Sequence, residues 1–236
     1  MGWLDARRCL VVAHRGASAA APENTLAAFR LAIAQGADGV ELDVRASRDG
    51  HLVVIHDASV ERVTGAQGEI AAMDLAAIRR LDAGGGERIP LLAEVLELAR
   101  GRLLVDIELK ITGIEAQVAA LVREAGMAGD VLITSFHEDA VAAARRLAPQ
   151  IAVGLLQPWP RPERATALGA PVLLPAIGAL TPSAASAARA AGLRVIPWTI
   201  RTAEEAAAAL RCGVDGMIAD DPRLVHAALA REEADR

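Results

Sequence analysis

The 236-residue chain has no tyrosine, two phenylalanines and three tryptophans. Hydrophobic residues still make up 53% of it, so a sizeable core is available and must be built from Ala, Leu and Val rather than from rings. Basic runs are missing and the formal net charge is −5, which argues against nucleic acid as a partner, because nothing is placed to neutralise a row of phosphates. No apolar run is long enough to cross a bilayer, and no early stretch joins a basic end, an apolar segment and a cleavage site. The expectation is a soluble, cytoplasmic protein without stable membrane insertion. Cys9 and Cys212 lie at opposite ends without metal-ligand spacing and read as buried thiols.

Two further scarcities point at single residues. Among 24 arginines there is one lysine, Lys110, and the chain has one asparagine, Asn24. Arginine and lysine differ in shape, hydration and ease of losing a proton. Where arginine is the default cation, a lone lysine marks a position whose task arginine does not fill.

What is present is most concentrated between Gly36 and Asp57. Val40-Glu41-Leu42-Asp43-Val44 alternates apolar and acidic residues, so a strand there turns both carboxylates to one face. Two acids on one face repel each other unless something positive lies between them, and a hard, oxygen-seeking cation meets that need. A half-exposed strand with solvated acids is the plainer reading. Asp49-Gly50 signals a turn, and a return strand from His51 to Ile55 ends in His56-Asp57. Folding back around residues 47–50 places Glu41 roughly opposite His56.

Along the chain, strands and helices alternate. Leu10–Ala13 is a buried-type strand ending in His14-Arg15-Gly16, and Pro22-Glu23-Asn24-Thr25 opens a helix with Leu26, Phe29 and Ile33 on one side. From Ala58 to Arg88 the pattern breaks into Ser, Thr and Gly with a short helix at Leu75–Leu81, and reads as a small insertion. Regular alternation resumes at Pro90, with strands at Leu103–Leu109, Val131–Phe136, Ile151–Leu156, Val172–Pro175, Arg194–Thr199 and Gly216–Ala219. With the return strand counted as a hairpin partner, eight strand-then-helix units remain. They close most naturally into a (β/α)8 barrel, with residues 1–236 as one domain and 58–88 inserted after the hairpin that follows the second strand. An open doubly wound sheet is the alternative, but no glycine-rich dinucleotide fingerprint follows the first strand.

In such a barrel the chemistry sits at the C-terminal ends of the strands. Those ends deliver His14 and Arg15; Glu41 and Asp43, with His56 returning beside them; Asp106, Glu108 and Lys110 by alternation on one face; Ser135 and His137; Trp198 and Thr199; Asp220 and Asp221. Glu41, Asp43 and Glu108 form a hard-oxygen set without cysteine, which suits Mg²⁺ or Ca²⁺. His14 and His56 can serve as an acid and base pair, and Arg15 and Lys110 can hold an anion. Together they read as a phosphate-ester cleavage site. Plainer roles stand beside these: Glu108 as a salt-bridge partner of Lys110, Asn24 and Asp220 as helix caps, Trp198 as core, and His51, His137 and His226 as surface or structural residues.

Taken in order, His14-Arg15-Gly16, Pro22-Glu23-Asn24-Thr25, Gly36-Ala37-Asp38 through Glu41-Leu42-Asp43-Val44, Asp49-Gly50, His56-Asp57, Glu108-Leu109-Lys110, Ser135-Phe136, Trp198-Thr199 and Asp220 to Pro222 resemble the glycerophosphodiester phosphodiesterase family over almost the whole chain. The resemblance implies a TIM barrel with a small insertion after the return strand. It implies a divalent metal on Glu41, Asp43 and Glu108, acid–base work by His14 and His56, and phosphate contacts from Arg15 and Lys110. Glu23, Asn24 and Trp198 become candidates for touching the substrate or orienting these groups. The implied reaction is hydrolysis of a small-molecule glycerophosphodiester to glycerol 3-phosphate and an alcohol. Ser47 and Ala219 stand where the family often has Thr, and Asp106 where Asn is common; none of these is a proposed ligand or acid–base residue. A lysophospholipid-cleaving enzyme and a non-catalytic binder of phosphorylated metabolites are the competing functions. The paired histidines argue against the binder, and the head group and oligomeric state stay open.

Overall fold

The computed structural model describes residues 2–234. Eight parallel strands form the sheet: β1 (Leu10–His14), β2 (Gly39–Ala46), β4 (Leu104–Leu109), β5 (Val131–Ser135), β6 (Ala152–Gln157), β7 (Val172–Pro175), β8 (Arg194–Val195) and β9 (Gly216–Ala219). Their order is β8-β7-β6-β5-β4-β2-β1-β9, with β3 (Leu52–Val54) antiparallel on β2. Bonds from Ile218 N–H to the Pro197 carbonyl (3.0 Å) and from Ile200 N–H to the Ile218 carbonyl (2.8 Å) join the two ends, so the sheet closes into the expected (β/α)8 barrel. The strand expected over Arg194–Thr199 is regular only at Arg194–Val195, because Pro197 has no N–H to give to a ladder.

Helices α1 (Leu26–Ala34), α4 (Leu92–Ala99), α5 (Glu115–Glu124), α6 (Glu138–Leu147), α7 (Pro162–Ala167), α8 (Pro182–Ala190), α9 (Ala203–Arg211) and α10 (Pro222–Ala234) surround the sheet. Several carry alanine where they meet it, as at Ala140, Ala144, Ala185, Ala188, Ala206 and Ala209, all buried. Small helix faces against Val, Ile and Leu let helix and strand approach closely, which is how a ring-poor chain fills this layer. In α1 the buried face is Ala28, Phe29 and Ala32, while Leu26 and Ile33 are only partly covered. No helix among the described residues is long and apolar enough to cross a membrane.

Strand alternation sorts the chain into inside and outside. Leu10, Val12, Leu104, Leu132, Val172, Leu174, Ile196 and Ile218 pack with Trp3 in one cluster inside the barrel, whereas Val11, Val40, Leu42, Val44, Val105, Ile107 and Leu109 pack against the helices. Trp3 donates Nε1–H to the Asp130 carbonyl at 3.0 Å. One more inward step along the same strands reaches His14, Glu41 and Asp43, Asp106 and Glu108, and Asp220.

The segment after β3 holds α2 (Glu61–Thr64), a 3₁₀ turn (Ile70–Ala72) and α3 (Leu75–Ile78), with Val53, Ile55, Val60, Ile70, Ile78, Ala83 and Ile89 as its own apolar cluster. The helix expected at Leu75–Leu81 is shorter than that. The hairpin also corrects the expected register. Val44 pairs with Val54 and Ala46 with Leu52, so the turn spends Arg48, Asp49 and Gly50 and Glu41 is not aligned with His56. Ile55 N–H still bonds the Asp43 carbonyl at 2.9 Å, and His56 then leaves the strand.

Candidate active site

The strand ends enclose a cavity of about 170 Å³ lined by His14, Arg15, Glu41, His56, Glu108 and Lys110, with Phe136 and Trp198 opposite. Glu41, Asp43 and Glu108 each offer an oxygen within 4.8 Å of the others, and all three are buried. Parallel pairing of β2 with β4 sets this up by aligning Asp43 with Glu108 and Glu41 with Asp106. Burial, and then the neighbouring carboxylates, push Glu41 well above the ordinary carboxylate range and Glu108 up to about 7. Asp43 Oδ1 is buried without a hydrogen-bond partner. Crowded hard oxygens with an orphaned acceptor are a donor set that fits Mg²⁺ or Ca²⁺. Asp106 lies on the same inward face and takes a hydrogen bond from Thr134 Oγ1 at 2.7 Å; burial raises it to about 8.

Lys110 reaches back to these acids, with Nζ 2.6 Å from Glu108 and 3.5 Å from Asp43. The plain salt bridge foreseen for Glu108 is therefore present, in the same cluster as the candidate ligands. Arg15 stands with Nε 3.2 Å from Asp43, and it donates from Nη1 to Glu23 at 2.9 Å. Its backbone N–H bonds Glu41 at 3.0 Å, in a left-handed conformation at φ +55°. Asn24 is the other non-glycine in that region, at φ +56°, and its N–H bonds the Arg15 carbonyl at 2.9 Å. This conformation costs an ordinary residue about 1–2 kcal/mol and suits asparagine better. Gly16 follows because a Cβ there would lie 2.7 Å from Ala28. Asn24 does not cap α1; Thr25 does, through Oγ1 and Ala28 N–H at 3.2 Å. The Asn24 amide instead donates to Asp43 Oδ2 at 2.8 Å and orients that carboxylate.

Each histidine has its own acid. His14 Nδ1 is 2.6 Å from Asp220 Oδ1, and His56 Nδ1 is 2.7 Å from Asp57 Oδ1. Asp220 also takes a bond from Arg201 Nε at 3.0 Å. Asp57 takes one from Arg62 Nε at 2.5 Å, and Arg62 binds both oxygens of Glu23 at 2.8 Å. Burial works against ionisation of Asp57, but the bonds from Arg62 and His56 outweigh it and hold the carboxyl at about 2. Asp220 is likewise held low by His14 and Arg201 against its burial. His56 itself is pushed below its ordinary value by burial, opposed by Asp43 and Asp57.

The helix-cap reading of Asp220 is overturned. Asp221 accepts the Arg223 N–H at 3.0 Å, which leaves Asp220 for His14. Trp198 lines the cavity, bonds the Leu174 carbonyl through Nε1 at 2.8 Å, and meets Phe136 edge-on with centroids 5.4 Å apart. Sequence reasoning missed Arg62 and Arg201 altogether. Of the histidine partners, only Asp57 carried a local signal, as the residue after His56.

The Glycerophosphoryl diester phosphodiesterase family model matches residues 14–224, from the first of these histidines into α10. A Glycerophosphodiester phosphodiesterase of Caldanaerobacter subterraneus is 38% identical over 91% of this chain and 95% of its own. A crystal structure of glycerophosphodiester phosphodiesterase from Agrobacterium tumefaciens superposes with a TM-score of 0.84 at 36% identity, covering 93% of this chain and 99% of that one. A phosphodiesterase of Oleispira antarctica, in complex with the product sn-glycerol-3-phosphate, gives 0.86 at 32% identity over 94% and 96% of the two chains. A match that runs through both histidines and all three clustered carboxylates, with relatives of nearly equal length, places this chain in the glycerophosphoryl diester phosphodiesterase family.

Proposed function

We propose that this enzyme hydrolyses glycerophosphodiesters to glycerol 3-phosphate and an alcohol, with a divalent cation on Glu41, Asp43 and Glu108 and with His14 and His56 as the proton carriers. One observation carries the reading: two histidines, each tied through Nδ1 to its own carboxylate, line one cavity with Glu41 and Glu108 of a crowded carboxylate trio. A bound divalent cation supplies electrophilic stabilisation of phosphate oxygens.

The chain's own groups do the rest. With Asp220 and Asp57 accepting from Nδ1–H, the Nε2 atoms are left to exchange protons. His14 Nε2 is 3.9 Å from Glu41, at the edge of the carboxylate cluster. One imidazole takes the proton of the attacking oxygen as the new P–O bond forms. The other gives its proton to the alkoxide as the old P–O bond breaks. The same pair serves attack by water or by a neighbouring glycerol hydroxyl. Arg15 and Lys110 border the cavity from the carboxylate side and offer cationic donors to the phosphate.

The test is release of glycerol 3-phosphate from a panel of glycerophosphodiesters and lysophospholipids, with and without Mg²⁺ or Ca²⁺. Metal-dependent release from the diesters is expected. Undiminished activity in chelator, or no release from any diester, would overturn the reading.

A further inference from the structure

The catalytic cavity is small for both arms of a diester. At about 170 Å³ it is below the roughly 300 Å³ at which small-molecule sites usually begin. The Asp57–Arg62–Glu23 ion pairs hold its lining residues His56 and Arg15, and Asp220 holds its lining residues His14 and Arg201. Phe136 and Leu156 line this cavity and also a second groove of about 320 Å³, which therefore adjoins it. Trp159 forms part of the groove and is 71% exposed. It stands between Pro158 and Pro160, on a loop closed by Arg161 N–H bonding to the Gln157 side chain at 2.7 Å. Two proline rings and that bond limit the loop's freedom, so the indole is held out in place.

Charge narrows what the groove accepts. Its lining has one carboxylate, Glu138, and Arg164 already holds both its oxygens at 2.7 and 2.8 Å. Arg161 also lines it, and among the described residues its guanidinium has no hydrogen-bond or ion-pair partner. On the cavity side, Lys110 Nζ already stands 6.0 Å from the Phe136 ring centre. Building on the phosphodiesterase reading, we propose that the alcohol arm of the substrate lies in this groove against Phe136 and Trp159, where Arg161 binds an acidic group on it. The preferred leaving alcohols are then carboxylate-bearing ones.

Glycerophosphoserine and glycerophosphoethanolamine test this, since their alcohols differ by one carboxylate. Arg161 is solvent-exposed, so the expected preference in kcat/KM for the serine diester is modest, about threefold, and shrinks with added salt. Arg161→Ala should bring the two diesters to equal kcat/KM, and Glu138→Gln, which frees Arg164, should widen the gap. Equal or reversed preference in the parent overturns the inference while leaving the phosphodiesterase reading intact. So does a ratio unchanged in Arg161→Ala, or faster turnover of a long-chain lysophospholipid, which gives the groove to an acyl chain. Turnover of no diester at all overturns both together.

Discussion

The carboxylate floor and the two histidine arms of the barrel mouth treat negative charge in opposite ways. On the floor, Glu41, Asp43 and Glu108 crowd together with Asp106 behind them, and Lys110 and Arg15 stand against them. Glu41 and Glu108 respond by rising far above the ordinary range. On the arms, Asp57 is matched by Arg62 and Asp220 by Arg201, and both are held low. The arms are electrostatically complete within the chain, whereas the floor keeps an excess of negative charge, which the proposed divalent cation would offset.

The comparison can be broken at several points. The largest effect is expected on the floor: a chelator, or Glu108→Gln, should abolish turnover, read as loss of glycerol 3-phosphate release that Mg²⁺ or Ca²⁺ restores only in the parent. Next, His14→Ala and His56→Ala should each lower kcat about 10²-fold or more with the circular dichroism spectrum unchanged. A strongly acidic leaving group should rescue the variant lacking the acid and not the other. Third, Arg62→Ala should cost about tenfold in kcat, because it releases Asp57 and Glu23 together. Arg62→Lys, with no planar fork, should recover only part of that. An unaffected Arg62→Ala enzyme would show that His56 needs Asp57 alone.

The smallest effect is on stability and sharpens the contrast directly. Glu108 titrates near 7 in the fold against 4.5 as a free side chain, so the folded state holds the extra proton between those values. Metal-free protein should then lose stability as pH rises from about 5 to about 8, by a few degrees in melting temperature. The depressed Asp57 and Asp220 add nothing in this window, since they are ionised in both states there; the depressed His56 works against the slope, and the raised Glu41 and Asp106 work with Glu108. Saturating Mg²⁺ or Ca²⁺ should flatten the slope. A melting temperature that rises with pH without metal would contradict the crowded floor.

Much of the floor was legible in the chain. Val40 to Val44 and Val105 to Lys110 alternate, and alternation alone turns Glu41, Asp43, Glu108 and Lys110 to one side of their strands. Eight strand-then-helix units made the barrel the natural closure, and closure made those sides face inward. The arms were harder to read. Asp220 looked like a helix cap, because a carboxylate just before Pro222 has that local meaning; only the pairing of β1 with β9 brings it to His14 across 206 residues. Arg62 carried no motif and acts from the segment after β3. The hairpin folds back around residues 47–50 as expected, but in a register one residue away from the one that sets Glu41 opposite His56.

Strand periodicity is a property of neighbouring residues, so the chain alone says which side chains share a face of their strand. Tertiary structure decided that Asp220 orients His14, because that contact exists only once β1 and β9 are paired, and that Arg62 joins Asp57 to Glu23, because those two acids lie on separate elements.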